Sequence, residues 1–223
     1  MAGTAVRVWD LPTRIFHWTL VALVAFSFTT GKVGGGWMEW HVKSGYAILA
    51  LLLFRVAWGL VGSDTSRFAH FLRGPRAAWR YGRETLAGRH PTLPGHNPLG
   101  GWMVLLMLAV LAVQATSGLF VDDEIATQGP LAARASGEVV GRMSELHEDN
   151  QWVIVGVVSL HVLAILAYRF ALRVSLVPAM WHGRAPVPPG VAPPRMRPTA
   201  LAAALLAIAA GFVYWLVAIF PRG

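Results

Sequence analysis

Apolar residues along the chain gather into long runs, while charge and proline concentrate in the stretches between them. Five runs stand out, at about 14–30, 41–62, 100–121, 152–172 and 198–220. Crossing a hydrocarbon core of roughly 30 Å takes about 20 helical residues, so each run is long enough to span. Lipid offers no partner to a bare backbone N–H or C=O, and the alternating ten-residue strands of a membrane barrel are missing, so the runs read as helices. Between the second and third runs, Phe68, Phe71, Leu72, Trp79, Tyr81 and Leu86 interleave with arginines. That pattern predicts a segment lying on the membrane surface. The proline-rich stretch 185–198 reads as a linker that sets the fifth run apart. That run is rich in alanine and has no histidine, which suits helix packing or partner docking.

Composition agrees with this pattern. Of 223 residues, 55% are hydrophobic and only 13% charged, and the mean hydropathy is +0.52, too apolar for a soluble domain. The first run has no short apolar core followed by a small-residue cleavage site and is expected to be a retained anchor. The chain has no cysteine, which excludes disulfides, iron–sulfur clusters, thiolate ligation and covalent haem attachment. Metal chemistry falls to histidine, methionine or carboxylate.

The net charge of +8 is a topology signal rather than a nucleic-acid footprint. Arg67, Arg73, Arg76, Arg80, Arg83 and Arg89 lie between the second and third runs, and Arg173, Arg184, Arg195 and Arg197 precede the fifth. Both segments are expected to be cytoplasmic, with the basic residues also positioned to meet membrane lipid. Asp122, Asp123, Glu124, Glu138, Glu145, Glu148 and Asp149, against Arg134 and Arg142, mark the segment 122–149 as an acidic loop on the other side. With Arg7 and Arg14 before the first run, the amino terminus is expected inside and Gly223 outside.

Four histidines carry the candidate chemistry. His17 lies about one turn inside the first run, His41 opens the second, and His147 opens the fourth at its outer face. His161 follows 14 residues after His147. Fourteen residues are close to four helical turns, so both imidazoles project from nearly the same face about 21 Å apart along the axis. Depth pairs His17 with His161 and His41 with His147. Two bis-imidazole haems stacked across the bilayer follow, held by facing helices as bundle cofactors are. A lone histidine at a helix end is more often an interfacial or capping group, but His161 is a costly ionisable residue within a span. His70, His90, His96 and His182 fall in loops and are given no ligand role. His147-Glu148 opens like a zinc-hydrolase motif, yet position 151 is Gln, so that motif fails.

Arg55 sits within the second run, 14 residues beyond His41. It is expected either to pair with a propionate of the inner haem, with Arg14 as a second candidate, or to snorkel to the headgroups. Gly45 and Gly118 would leave room for a flat macrocycle, or serve close helix packing. Trp18, Trp37, Trp40, Trp58, Trp102, Trp152 and Trp215 read as interface anchors. Asn97-Pro98 reads as the start of the third helix.

The run Val8-Trp9-Asp10-Leu11-Pro12-Thr13-Arg14-Ile15-Phe16-His17-Trp18 resembles the bacterial cytochrome b561 family, which includes the b-type subunits of nickel–iron hydrogenases. So do His41 with Gly45, the run Gly95-His96-Asn97-Pro98-Leu99-Gly100, and His147 with His161. The resemblance covers residues 8–181. It implies an all-α integral membrane protein of the bacterial inner membrane, a four-helix transmembrane bundle binding two haem b groups through the same four histidines. Residues 182–197 would then form a cytoplasmic linker, and 198–220 a fifth transmembrane helix beyond the common pattern.

Three functions follow as expectations. The first is an electron carrier between membrane quinone and an outer-face redox partner, such as a c-type cytochrome or hydrogenase-like subunit; the acidic loop suits a basic partner. The second is an oxidoreductase passing electrons from superoxide or another small oxidant's couple to quinone. The third, of another class, is a non-haem transporter or scaffold.

Overall fold

The computed structural model describes residues 4–89, 95–123, 127–187 and 190–222; His90, Glu124 and Gly223 lie outside them. Among these described residues, five helices are long and apolar enough to cross a membrane. They are α1 (Leu11–Val33), α2 (Met38–Val61, entered through a 3-10 turn at Gly35–Trp37), α5 (Pro98–Ser117), α6 (Gly137–Phe170) and α8 (Thr199–Tyr214). The last continues through a wider π turn to Ile219. Shorter helices α3 (Phe68–Phe71), α4 (Pro75–Leu86) and α7 (Val177–His182) lie in the connections.

Sequence sets the ends of these helices. Asp10 caps α1, accepting the Thr13 backbone N–H at 2.7 Å, with Pro12 in the first turn. Asn97 caps α5 by accepting from the Gly100 N–H at 2.7 Å, as its position before Pro98 predicts. Gly34, at φ 68°, ends α1 in a conformation open to glycine.

The fourth helix departs from its expected start. Glu138, Arg142 and Glu145 read as part of an acidic loop, yet they are helical, because α6 begins at Gly137, where Ser136 caps it by accepting from the Val139 N–H. His147 therefore stands in the third turn of α6 rather than opening the helix. At 34 residues α6 is about 51 Å long and outreaches the hydrocarbon core by several turns.

α1 packs along α2, and α5 along α6; α2 also meets α5. α6 packs most closely along α5 and meets the first hairpin through side chains, Ile154 joining Ile48 and Leu52 of α2 in one apolar cluster. Side chains of α1, α2 and α8 form one apolar cluster, with Phe16, Leu51, Phe54, Trp58, Ala202 and Ala209 at its centre. The fifth span is thus packed against the second, its alanines allowing close approach. Trp58 is fully buried in that cluster and donates its indole N–H to Asp10 at 3.1 Å, so it is a core residue and not an interface anchor.

Among the described residues the only sheet is one short ribbon that no sequence pattern announces. Strand β1 (Thr4–Arg7) pairs antiparallel with β2 (Arg184–Val187), within the stretch expected to be a plain linker. Backbone bonds from Val8 and Trp9 to the Gly183 carbonyl, at 2.8 and 3.1 Å, continue the join. The same linker is clasped to the α2–α3 connection, where the Arg195 N–H meets Asp64 at 2.9 Å and the Arg197 N–H meets Ser63 at 3.0 Å. The amino terminus, the basic connection after α2 and the linker before α8 therefore gather at one end of the bundle. At the other end Arg134 stacks on Phe220, 4.6 Å from its ring centre.

Candidate cofactor sites

His41 of α2 and His147 of α6 face one another between the two hairpins. Their ring centroids are 5.9 Å apart and their planes perpendicular, at 89°. Each Nδ1 lies beside a backbone carbonyl of the neighbouring helix: His41 at 2.8 Å from Ser27 O of α1, His147 at 2.9 Å from Gln114 O of α5. A carbonyl only accepts, so each Nδ1 carries the proton and each Nε2 keeps its lone pair. The Ser27 and Ser117 hydroxyls sit 3.3 and 3.2 Å from the same nitrogens. An imidazole held in this tautomer by an outer hydrogen bond is the usual form of a metal-ligating histidine. Two metal–nitrogen bonds of about 2 Å place the centroids of two axial imidazoles roughly 6 Å apart, so the pair fits one iron between them.

Two glycines make this arrangement possible. A Cβ at Gly31 would lie 2.8 Å from Nδ1 of His41, and one at Gly118 would lie 2.8 Å from Cε1 of His147. Gly118 thus makes room for the ligand's own ring. Gly31, which nothing local in the sequence marks, does the same on α1. The two sides repeat one device: a carbonyl at position i receives the imidazole, and glycine at i+4 lets it approach. Gly45 has open space where a Cβ would stand. On α6 a further network holds the height of His147. Gln114 donates to the His147 carbonyl at 2.9 Å, and Asn150 donates to Gln114 Oε1 at 2.8 Å and to Val110 O at 2.9 Å.

The second pair lies at the end carrying the amino terminus. His17 and His161 are within electrostatic reach of each other, and His17 Nδ1 is sealed from solvent without a hydrogen-bond partner. Near them the structure gathers groups that the sequence could not combine. Arg55 is 2% exposed, so it does not snorkel; its guanidinium lies 5.1 Å from the Phe68 ring centre and 5.9 Å from that of Phe71, and its Nη1 has no partner. Asp10 supplies the nearest countercharge, itself occupied by Thr13, Trp58 and Ser66.

His96, read from sequence as a plain loop residue, belongs to this end too. Its ring is wedged between Trp9 and Phe71, with centroids 4.7 and 4.6 Å away, and its Nδ1 is sealed without a partner. Burial, then the charge of Arg55, pushes its pKa down to about 3, so it stays neutral at physiological pH. The only hint of its importance in the sequence is its place between Gly95 and Asn97. Asn97 in turn donates to the Tyr168 hydroxyl at 2.9 Å, and Tyr81 lies 3.2 Å from the same hydroxyl, tying α4 and α5 to α6. Arg14 stands apart, at the α7–β2 turn, with its Nε unpartnered. Among the described residues no three histidine, aspartate or glutamate side chains cluster as a metal site. Paired histidines are the ligand sets available.

Comparison with known proteins bears on these pairs. The family model for prokaryotic cytochrome b561 matches residues 8–183. The chain is similar to proteins named as probable Ni/Fe-hydrogenase B-type cytochrome subunits. That of Azotobacter chroococcum mcd 1 is 26% identical over 81% of this chain and 88% of its own length. The Azotobacter vinelandii protein matches to the same extent, and that of Rhizobium leguminosarum bv. viciae is 23% identical over 80% and 88%. The residues that cap α1, those that open α5, the facing His41 and His147, and His17 and His161 all fall within the matched span, and the chain belongs to the prokaryotic cytochrome b561 family of membrane electron-transport proteins, with haem b as its cofactor.

Proposed function

We propose that the chain carries electrons across the bacterial inner membrane through two haem b groups, one held by His41 and His147 and the other by His17 and His161. The observation that carries this reading is the facing of His41 and His147, with both Nδ1 atoms committed to carbonyls and both Nε2 atoms left for iron. Haem in such sites supplies a one-electron carrier with no open coordination position. The four-turn spacing of His147 and His161 on α6 sets the second site near the opposite membrane face.

The chain's own residues divide the remaining work. Ser27, Gln114, Gly31 and Gly118 orient the outer ligands. Arg55, with its free Nη1, is the donor available to an inner-haem propionate, and Arg14 stands as a more peripheral candidate. Arg55 brings a full charge, which makes the hydrogen bond stronger and favours a reduced cofactor beside it. Gly45 leaves open space one turn from His41.

In this reading the amino terminus and the basic connections face the cytoplasm, and the end of the fifth helix faces the periplasm. The projecting start of α6, with Glu138, Glu145, Glu148 and Asp149, would meet a basic periplasmic redox protein. The names of the relatives make a hydrogenase-like subunit one such partner class, a c-type cytochrome another. Quinone or quinol in the membrane would be the second redox partner.

A reduced-minus-oxidised spectrum with pyridine haemochrome quantification tests the core of the proposal. Two b haems per chain are expected, with one retained in His161→Ala and one in His147→Ala. A haem content unchanged by both substitutions would remove these histidines from the ligand set.

A further inference from the structure

Helix α4 takes no part in the haem sites and carries two kinds of surface. Ala78 and Tyr81 are buried against the bundle, and the Tyr81 hydroxyl stands 3.2 Å from that of Tyr168 on α6. The opposite side is exposed. Arg76, Arg80 and Arg83 recur at intervals of four and three residues and so form one stripe, with Arg73 just ahead of the helix. Beside the stripe Trp79 and Leu86 are 72% and 91% exposed, which sets bare apolar surface next to positive charge.

The arginines find no counterion within the protein. Among the described residues no ion pair includes Arg73, Arg76, Arg80 or Arg83, and α4 carries a single acid, Glu84. The helix also lies at the level where a span begins. It packs along α5, and Trp102, early in that span, donates its indole N–H to the Arg73 carbonyl at 2.9 Å. A basic stripe beside exposed Trp and Leu at this depth suits an interfacial helix, with its apolar residues among acyl chains and its cations at headgroup phosphates. The planar guanidinium fork donates two hydrogen bonds at once to a phosphate. A phospholipid answers both halves of the face in one molecule, phosphate for the arginines and acyl chains for Trp79 and Leu86.

What α4 holds down lies next to the inner site. Three residues, Leu72, Arg73 and Gly74, separate Pro75 from Phe71, whose ring packs on both Arg55 and His96. We infer that α4 is a docking site for anionic phospholipid of the leaflet on that side, and that lipid bound there pins the connection covering Arg55 and His96. The inference stands whichever histidines hold haem.

Hydrogen–deuterium exchange of the full haem-loaded chain tests it, in nanodiscs of phosphatidylcholine alone and of phosphatidylcholine mixed with phosphatidylglycerol. One basic residue at an anionic surface changes partition about fivefold, so three change it by up to about a hundredfold. Peptides covering 68–86 are expected to exchange roughly tenfold more slowly when phosphatidylglycerol is present, and the difference should shrink in high salt. Arg76→Gln, Arg80→Gln and Arg83→Gln together should abolish it while the haem spectrum stays unchanged; the triple Lys variant, which keeps the charge, should retain most of it. Trp79→Ala with Leu86→Ala leaves every charge in place and should also lose most of the slowing. Full slowing in that variant would overturn the seating of α4 among acyl chains. Equal exchange in both membranes would overturn the inference, as would a difference that survives in the triple Gln variant, because the lipid would then act elsewhere. Slowing confined to 75–86 would overturn the pinning of the connection. Slowing found only in native membranes, and removed by stripping peripheral proteins from them, would assign the face to an acidic protein instead.

Discussion

Replacing Gly118 by alanine isolates what holds the outer haem. The new Cβ would stand 2.8 Å from Cε1 and 3.2 Å from Nδ1 of His147. Carbon atoms rest at about 3.5–4.0 Å, so the ring must retreat by roughly 0.7 Å or more. The Nδ1–Gln114 O bond, 2.9 Å in the native arrangement, then stretches to the limit of a hydrogen bond. Losing that bond removes about 1 kcal/mol, and overpacking adds about 1–3 kcal/mol. Together these come to about 2–4 kcal/mol, or roughly 30-fold to 1,000-fold weaker retention of a cofactor held without covalent bonds. Gly31→Ala repeats the insult on the other ligand, 2.8 Å from Nδ1 of His41, and should give the same phenotype. Haem per chain after extended detergent washing is the assay. About one haem should remain in either variant, and still about one in the double variant, because both act on the same site. Gly141→Ala, on an exposed turn of α6 with nothing near its Cβ, is the control and should keep two. Wild-type haem content in both Gly31→Ala and Gly118→Ala would refute the view that these glycines admit the ligand rings.

Other consequences are open to measurement. Arg55→Met removes a buried cation beside the inner site and should lower the midpoint potential of one haem, on the order of 50 mV, in a redox titration, leaving the other in place; equal shifts in both would argue against its position. His96 is neutral when folded down to pH of about 3 but takes up a proton below about 6.5 once exposed. Its contribution to stability is therefore present above about pH 6.5 and is lost as pH falls towards 3. Thermal unfolding of the purified protein should show less acid sensitivity over that window in His96→Gln than in wild type; parallel profiles would contradict it. Trp58→Phe deletes the donor to Asp10 and leaves a void in the α1–α2–α8 cluster, which should cost about 2–4 kcal/mol in a reversible unfolding assay while both haems stay bound in the folded fraction.

The long apolar runs announced five spans because hydropathy is a property of composition alone, and the pairing of histidines followed from depth and the four-turn spacing on one helix. What escaped was whatever depends on two segments meeting. Ser27, Gly31 and Gln114 matter because particular carbonyls and gaps on α1 and α5 face imidazoles from α2 and α6. Nothing local marks them. Arg55 was legible as a buried charge, but its shelter comes from Phe68 and Phe71, which a connection folds back over it. His96 looked like loop because loops are ordinarily wet, and here one is tucked beneath aromatic rings. The first turns of α6 looked like loop for a different reason: hydropathy ends at the membrane surface, while a helix of Glu, Arg, Met and Leu continues into water.

The ribbon joining residues 4–7 to 184–187 ties together two segments made far apart in time. Its first strand leaves the ribosome before any span, and its second only after α6 has been threaded through the bilayer. Four crossings, an even number, return the chain to the compartment where the first strand has been waiting, so a helix inserted the wrong way round leaves the strands on opposite sides and the ribbon unformed. Until the ribbon zips, the carbonyl of Gly183 lacks the Val8 and Trp9 N–H groups, and the linker before α8 is held only through Arg195 and Arg197.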